Sequence, residues 1–472
     1  MMDNRAFTFG ASLSACACEA LDNPAVRALW NGFTFGCGSL DFNVPNTPAS
    51  TTNAPCSFCT PDMTPPELPD GKEYAVRITP HGVSIAAADS AALARGLIAL
   101  MLKIEPENLE PGKERFRISC GEFTDAFVLK RRMIHLCVFP ETTLFALQKL
   151  LRLCAALQYT HVVVEFWGMF QYQCLKELSW PQAYTKGQIA PLFDEARELG
   201  VQIIPMFNML GHATASRVCG GKHVVLDQNP RLQSLFTIDG WSWNLSSDKV
   251  RELLSKVRHE LYDLCGDGEY FHIGCDEDYH KNDPEHTSKI PQYLQQTAKE
   301  ILAEGRRPIL WGDMLLAREA CGVTAPYCCS SPQAKDAEDI LAALPRECVI
   351  ADWQYDVKSA PWKTSQYLRD KGFDVLCAPW YEAPNYAAAL QTAREENLFG
   401  VMLTTWHTLN RETPSIAAFA NALGVSRAAF TGKSHPYAET AALLRRLSPG
   451  AKRYEDCGWM EKQITVSAWP SC

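Results

Sequence analysis

From residue 130 onward, short apolar runs alternate with amphipathic helical stretches eight times, and this rhythm narrows the fold more than any other feature. The runs are Met133–Val138, His161–Phe166, Val201–Phe207, Tyr270–Cys275, Pro308–Trp311, Val349–Trp353, Asp374–Pro379 and Phe399–Thr404. Helical patterns such as Leu144–Leu157, Gln188–Leu199, Lys249–Leu264 and Ile290–Glu304 lie between them. Runs that are apolar throughout, rather than alternating, suit strands buried on both faces, which is the habit of parallel sheets covered by helices. Strand followed by helix, repeated, argues for parallel βα units. Eight such units close most simply into an α/β fold of the (β/α)8 TIM-barrel type. An open doubly wound sheet is the runner-up, disfavoured because no glycine-rich phosphate loop follows the first strand.

Ahead of the barrel, Tyr74–Ile78 alternates, Pro80-His81-Gly82 turns and Val83–Ala87 returns, which predicts a β-hairpin. Asp89 or Ser90 then caps a helix reaching Ile104, with Leu93, Leu97, Leu100 and Ile104 on one face. The expected layout is an N-terminal region with a small α+β domain over 1–125, the barrel over 126–430 and a C-terminal tail packed on it over 431–472. Residues 40–72 hold seven prolines and read as a long loop or linker, not a strand. Within them Cys56-Ser57-Phe58-Cys59 is a lone CxxC with no second pair at zinc-ribbon spacing.

The chain carries 19 cysteines, an odd number, in no small-domain disulfide spacing, and its start lacks the pattern of a secretory signal. Free thiols and a cytoplasmic location are the expectation. A net charge of −9 argues against a nucleic-acid surface, and no run reaches the length of a membrane span. No metal or organic cofactor is expected, and the oligomeric state is not legible.

In a barrel of this kind, function sits at the C-terminal ends of the strands. Strand three runs into Asn208-Met209-Leu210-Gly211-His212, and strand four into Asp276-Glu277-Asp278. Strands five to eight end in Trp311-Gly312-Asp313, Trp353, Trp380-Tyr381-Glu382 and Trp406-His407. Four tryptophans and a tyrosine at consecutive strand ends make an aromatic-walled mouth suited to the apolar C–H faces of a small-molecule or oligosaccharide substrate. Adjacent carboxylates beside a buried strand repel and perturb each other's ionisation, which suits acid/base work. His212 beside them is a candidate orienting partner.

Phe271-His-Ile-Gly-Cys-Asp-Glu277, with Gly211-His212 before it and the strand-end aromatics around it, resembles the His-x-Gly-Gly-Asp-Glu signature of glycoside hydrolase family 20, the β-N-acetylhexosaminidases. The resemblance implies retaining hydrolysis of terminal 2-acetamido-2-deoxy-β-hexosides, in which the sugar's own acetamido oxygen attacks the anomeric carbon. It implies Glu277 as general acid/base and Asp276 as the residue that orients the acetamido group. Neighbouring strand residues point to different sides, so such a pair can reach two atoms of one sugar. Tyr381 would bond the acetamido oxygen, Trp311, Trp353 and Trp406 would enclose the ring, and His212 would support the network.

The chain departs from the family pattern at several hydroxyl-binding positions. The family's first-strand Arg is Val138 here, and its strand-seven Asp and strand-eight Glu are Ala383 and Thr408. His135, Glu141, Glu382, His407 and Asn410 are candidate replacements for substrate contacts. Cys275 stands where the family has a second Gly, with core packing its expected role. Two alternatives stay open: a carbohydrate-binding barrel that has lost catalysis, and a glycosidase of other specificity that uses a carboxylate nucleophile such as Asp313.

Overall fold

The computed structural model describes residues 5–43, 56–125, 127–214, 229–280, 283–323, 327–331, 333–407, 409–424 and 436–447. Within them, eight strands close into a parallel barrel: β1 Arg131–Val138, β2 His161–Phe166, β3 Gln202–Met206, β4 Tyr270–His272, β5 Arg307–Trp311, β6 Val349–Asp352, β7 Asp374–Cys377 and β8 Gly400–Leu403. Each strand pairs with its successor, and β8 closes on β1 with Arg131 opposite Gly400. Met133, Val163, Ile204, Ile309, Val349 and Met402 point into the lumen and form its packed interior. Their neighbours Ile134, Val162, Ile203, Leu310 and Ile350 point outward under the helices. Both strand faces are therefore buried, which is why these runs are apolar without alternation.

The helices begin where the sequence offers caps. Thr143 accepts from the Ala146 amide ahead of Leu144–Ala156, and a Thr185–Gln188 capping box opens Lys186–Glu198. Asp283 caps Pro284–Ala303. Among the described residues, no helix is long and apolar enough to cross a membrane.

The N-terminal region holds two sheets. A six-stranded sheet runs in the order Ser39–Asn43, Ser12–Ala17, Cys56–Cys59, Gly82–Ala87, Tyr74–Thr79 and Gly121–Thr124. The expected hairpin and the helix after it are present, the helix spanning Ser90–Met101 with Asp89 accepting from the Ala92 amide. A three-stranded sheet is built from Ala6–Phe9, Arg115–Ser119 and Glu105–Asn108.

The reading of 40–72 as a loop without a strand is corrected. Cys56–Cys59 is an inner strand of the six-stranded sheet, paired on both sides, and Ser39–Asn43 is its edge. Pro55 and Pro61 flank the strand rather than interrupt it, so its ladder donors survive, and Phe58 is buried in the core. Residues 56 and 59 lie three apart on an extended strand and so face opposite sides, which keeps this CxxC from closing on one ion.

Glu73 ties the two regions together. It bonds the wholly buried Arg132 of β1 at 3.0 Å and Arg95 of the 90–101 helix at 2.8 Å. Arg95 also donates to the carbonyl of Gly200, where a Cβ would lie 2.7 Å from the Ala91 carbonyl oxygen. Of the expected C-terminal tail, only the helix Pro436–Arg446 and Leu447 are described; residues 448–472 lie outside the described residues. Arg446 donates to the Phe33 carbonyl, and Leu447 accepts from Arg152, so this helix touches both regions.

Candidate active site

The site is built from the turn after β4. Gly274, Cys275 and Glu277 all have positive φ, at 67°, 67° and 50°, and His212 across from them has 59°. The close fit behind this turn explains the glycines. A Cβ at Gly274 would sit 1.5 Å from Asn208 Oδ1, and one at Gly211 would sit 2.5 Å from the Asp276 carbonyl oxygen. The backbone is thereby folded back so that two successive carboxylates converge on one imidazole. His212 Nε2 lies 3.3 Å from Asp276 Oδ2 and 3.2 Å from Glu277 Oε2. The Asp276 side chain is 8% exposed and that of Glu277 27%, so one carboxylate lies within and the other faces the mouth.

Asp313 secures the pair from below. Its Oδ2 accepts the Glu277 amide at 2.9 Å, and its Oδ1 accepts Trp353 Nε1 at 3.1 Å. Burial, reinforced by the charge of Asp276, pushes its carboxyl up to about 7. The third acidic residue of the triplet looks elsewhere. Asp278 bonds His280 Nδ1 and His286 Nε2, each at 2.6 Å, and these contacts outweigh burial to hold it well below the usual carboxylate range.

Trp241, which the sequence reading did not single out, donates to the Glu277 carbonyl at 2.7 Å and packs on His212 at 4.5 Å. It also stacks with Tyr279 at 5.7 Å, and the Tyr279 hydroxyl is hydrogen-bonded to the Glu277 side chain.

The aromatic residues divide by depth. Trp311 is fully buried in the lumen against His272, His135 and Trp406, at centroid distances of 4.5, 5.9 and 5.7 Å. It is a floor rather than a wall. Trp353 and Trp406 are half-buried, and Trp406 Nε1 donates to the hydroxyl of Tyr355 at 2.7 Å. Tyr355, three residues past the end of β6, is a second tyrosine at this mouth. Tyr381 is 42% exposed and meets Trp380 edge-on at 4.5 Å. His407 packs on Trp380 at 5.2 Å, and Trp380 Nε1 donates to the buried Glu412 at 3.3 Å. Glu412 is thus a carboxylate near strand eight that the sequence reading missed. Glu382 pairs with Lys358 at 2.5 Å and begins the helix Ala383–Glu395.

His135 is wholly buried, 3.2 Å from Glu165 Oε2, with Trp406 over its ring at 4.5 Å. Val138, where an Arg was expected from the resemblance, is buried in the core, and Thr408 lies outside the described residues. Cys275 is buried in the main core with its thiol toward the Ile273 carbonyl, as packing requires.

The glycosyl hydrolase family 20 catalytic domain matches residues 166–413, more than half of the chain. The protein belongs to glycosyl hydrolase family 20. It is a glycoside hydrolase, and the strand-four pair lies inside the matched segment. Its fold is shared with the family 20 exo-β-N-acetylglucosaminidase of Vibrio harveyi, solved with N-acetylglucosamine: TM-score 0.65, 14% identity, 95% of this chain and 76% of that one covered. A mutant Streptomyces plicatus β-hexosaminidase in complex with the product GlcNAc matches with a TM-score of 0.63 and 15% identity, covering 93% of each chain. A Flavobacterium johnsoniae chitobiase matches with a TM-score of 0.64 and 15% identity, covering 99% of this chain and 73% of that one.

Proposed function

We propose that this family 20 enzyme is a retaining exo-β-N-acetylhexosaminidase that works by substrate-assisted catalysis. The observation that carries the reading is the convergence of Asp276 and Glu277 on His212, with the deeper carboxylate at 276 and the more open one at 277. Glu277 gives its proton to the glycosidic oxygen as that bond breaks. The substrate's acetamido oxygen bonds to the anomeric carbon, and Asp276 accepts the acetamido N–H and balances the positive charge that develops. Glu277, now a carboxylate, removes a proton from water as it opens the oxazolinium ring, and configuration is retained. His212 and the Asp313–Glu277 amide contact hold the two carboxylates in register.

The alternative with Asp313 as nucleophile is poorly supported. Asp313 is buried, and its two oxygens accept the Glu277 amide and the Trp353 indole. A nucleophile must be ionised, and burial with the charge of Asp276 pushes this carboxyl up to about 7.

A panel of chromogenic β-glycosides tests the proposal. Cleavage is expected for sugars bearing a 2-acetamido group. Cleavage confined to sugars without one would refute the substrate-assisted route.

A further inference from the structure

Among the described residues, three clusters bring metal-type donors together: His135/Cys137/Glu165, Asp278/His280/His286 and His212/Asp276/Glu277. Their spacing separates them. Donors on one tetrahedral zinc-sized ion, at about 2.0–2.3 Å from it, stand about 3.3 Å apart for N and O and about 3.5 Å apart when one is sulfur. Asp278 lies 2.6 Å from each of its histidines, a hydrogen-bond spacing too tight for shared ligation. The His212 cluster is the reaction centre itself.

The first cluster fits. His135 Nε2 to Glu165 Oε2 is 3.2 Å, and Cys137 Sγ is 3.8 Å from each of them. All three side chains are buried. The placement follows from strand geometry. His135 and Cys137 are two residues apart on β1 and share a face, and Cys137 stands opposite Glu165 in the β1–β2 register. Asn208 Nδ2 donates to the far oxygen of Glu165, Oε1, at 3.1 Å, the outer support that metal-bound carboxylates usually have, while Trp167 Nε1 donates to Oε2 itself at 3.1 Å. One thiolate, one imidazole and one carboxylate form a donor set suited to zinc.

The geometry points to a zinc-type divalent metal site formed by His135, Cys137 and Glu165 in the barrel floor. Binding releases the Cys137 thiol proton to solvent and sets a cation against the buried Glu165 charge. Three side-chain donors leave one tetrahedral position open, and losing its proton costs the Cys137 thiol the hydrogen bond it donates to the Thr405 carbonyl at 3.2 Å. The cation would lie between β1 and β2, on the strand whose Val138 replaces the family's Arg. Metal binding here is independent of the proposed reaction, and the test reads metal rather than turnover.

Full-length protein, stripped with chelator, is titrated with Co2+ as the spectroscopic probe. The expected result is one equivalent bound with a thiolate-to-cobalt charge-transfer band, displaced by Zn2+. Cys137→Ser should abolish the band, and His135→Gln should weaken binding at least tenfold. Cys154→Ala, which removes a buried thiol elsewhere, should leave it intact. No band in the native protein, or a band that survives Cys137→Ser, overturns the proposal. Circular dichroism checks that the variants fold. Should Cys137→Ser fail that check, Glu165→Gln gives the same reading through lost affinity, and unchanged affinity there overturns the proposal equally.

Discussion

At the scale of single residues, the reaction centre separates groups by environment. Glu277→Gln should lower turnover of poor leaving groups by about 10²–10⁴-fold while sparing activated aryl glycosides. Steady-state kinetics on a matched pair of such substrates checks this, and an equal loss on both would contradict an acid role. Asp313 carries a pH signature of its own. Its folded value of about 7 lies above the ordinary 3.8, so between these pH values the folded state keeps a proton that the unfolded chain has released. Its contribution to stability is therefore lost progressively as pH rises through that window. Asp313→Asn should flatten this fall, and thermal midpoints of both proteins from pH 4 to 8 would show it; parallel curves would contradict the assignment. Asp276, Glu277 and His212 were legible because a contiguous motif carries two of them. Trp241 and Glu412 were not, because they reach the site from a loop and a helix away from the strand ends, where no periodicity marks them. A better clue stood inside β2. Glu165 interrupts the run Val162-Val163-Val164, and a carboxylate in a buried strand demands a partner.

At the scale of elements, the turn after β4 depends on glycine for space as well as for φ. Gly274 and Gly305 both have positive φ, 67° and 82°, but only Gly274 is crowded; nothing lies within 4 Å of a Cβ at Gly305. Gly305→Ala should cost about 1 kcal/mol from backbone strain alone. Gly274→Ala should cost about 3 kcal/mol or more, and should also depress turnover because Asp276 lies two residues on in the same turn and Asn208, following β3, is pressed from across it. Denaturant melts of the two variants give the comparison, and similar costs would mean the crowding relaxes freely. All eight barrel strands were legible from runs buried on both faces. The strand Cys56–Cys59 was not, because four residues between prolines offer too little alternation to outweigh the turn signals around them.

At the scale of the whole molecule, the seam between the N-terminal sheets and the barrel rests on Glu73 with Arg95 and Arg132. Burial pushes the Glu73 carboxyl up, but the two guanidinium groups outweigh it and hold it below its ordinary 4.5. The stabilisation is thus complete above about pH 4.5 and declines as pH falls through the lowered value. Glu73→Gln leaves the buried Arg132 without its counter-charge and should cost about 3 kcal/mol at neutral pH. The gap between variant and native thermal midpoints should close on acidification, and a gap independent of pH would refute the electrostatic origin. This seam was invisible in the sequence, where its three residues are spread from 73 to 132 with nothing to link them. The closed barrel was legible because its strands neighbour one another in chain order.

The left-handed backbone at Glu277 bears on how the acid can be replaced by chemistry from outside. Every side chain installed there inherits the φ of 50°, which Gly alone meets at no steric cost. Glu277→Gly should therefore fold better than Glu277→Ala by about 1 kcal/mol. It also leaves a gap the size of the lost side chain, open toward the mouth. That makes it the best host for rescue, in which formate, an anion near neutral pH, diffuses in and takes the proton from the water that opens the ring.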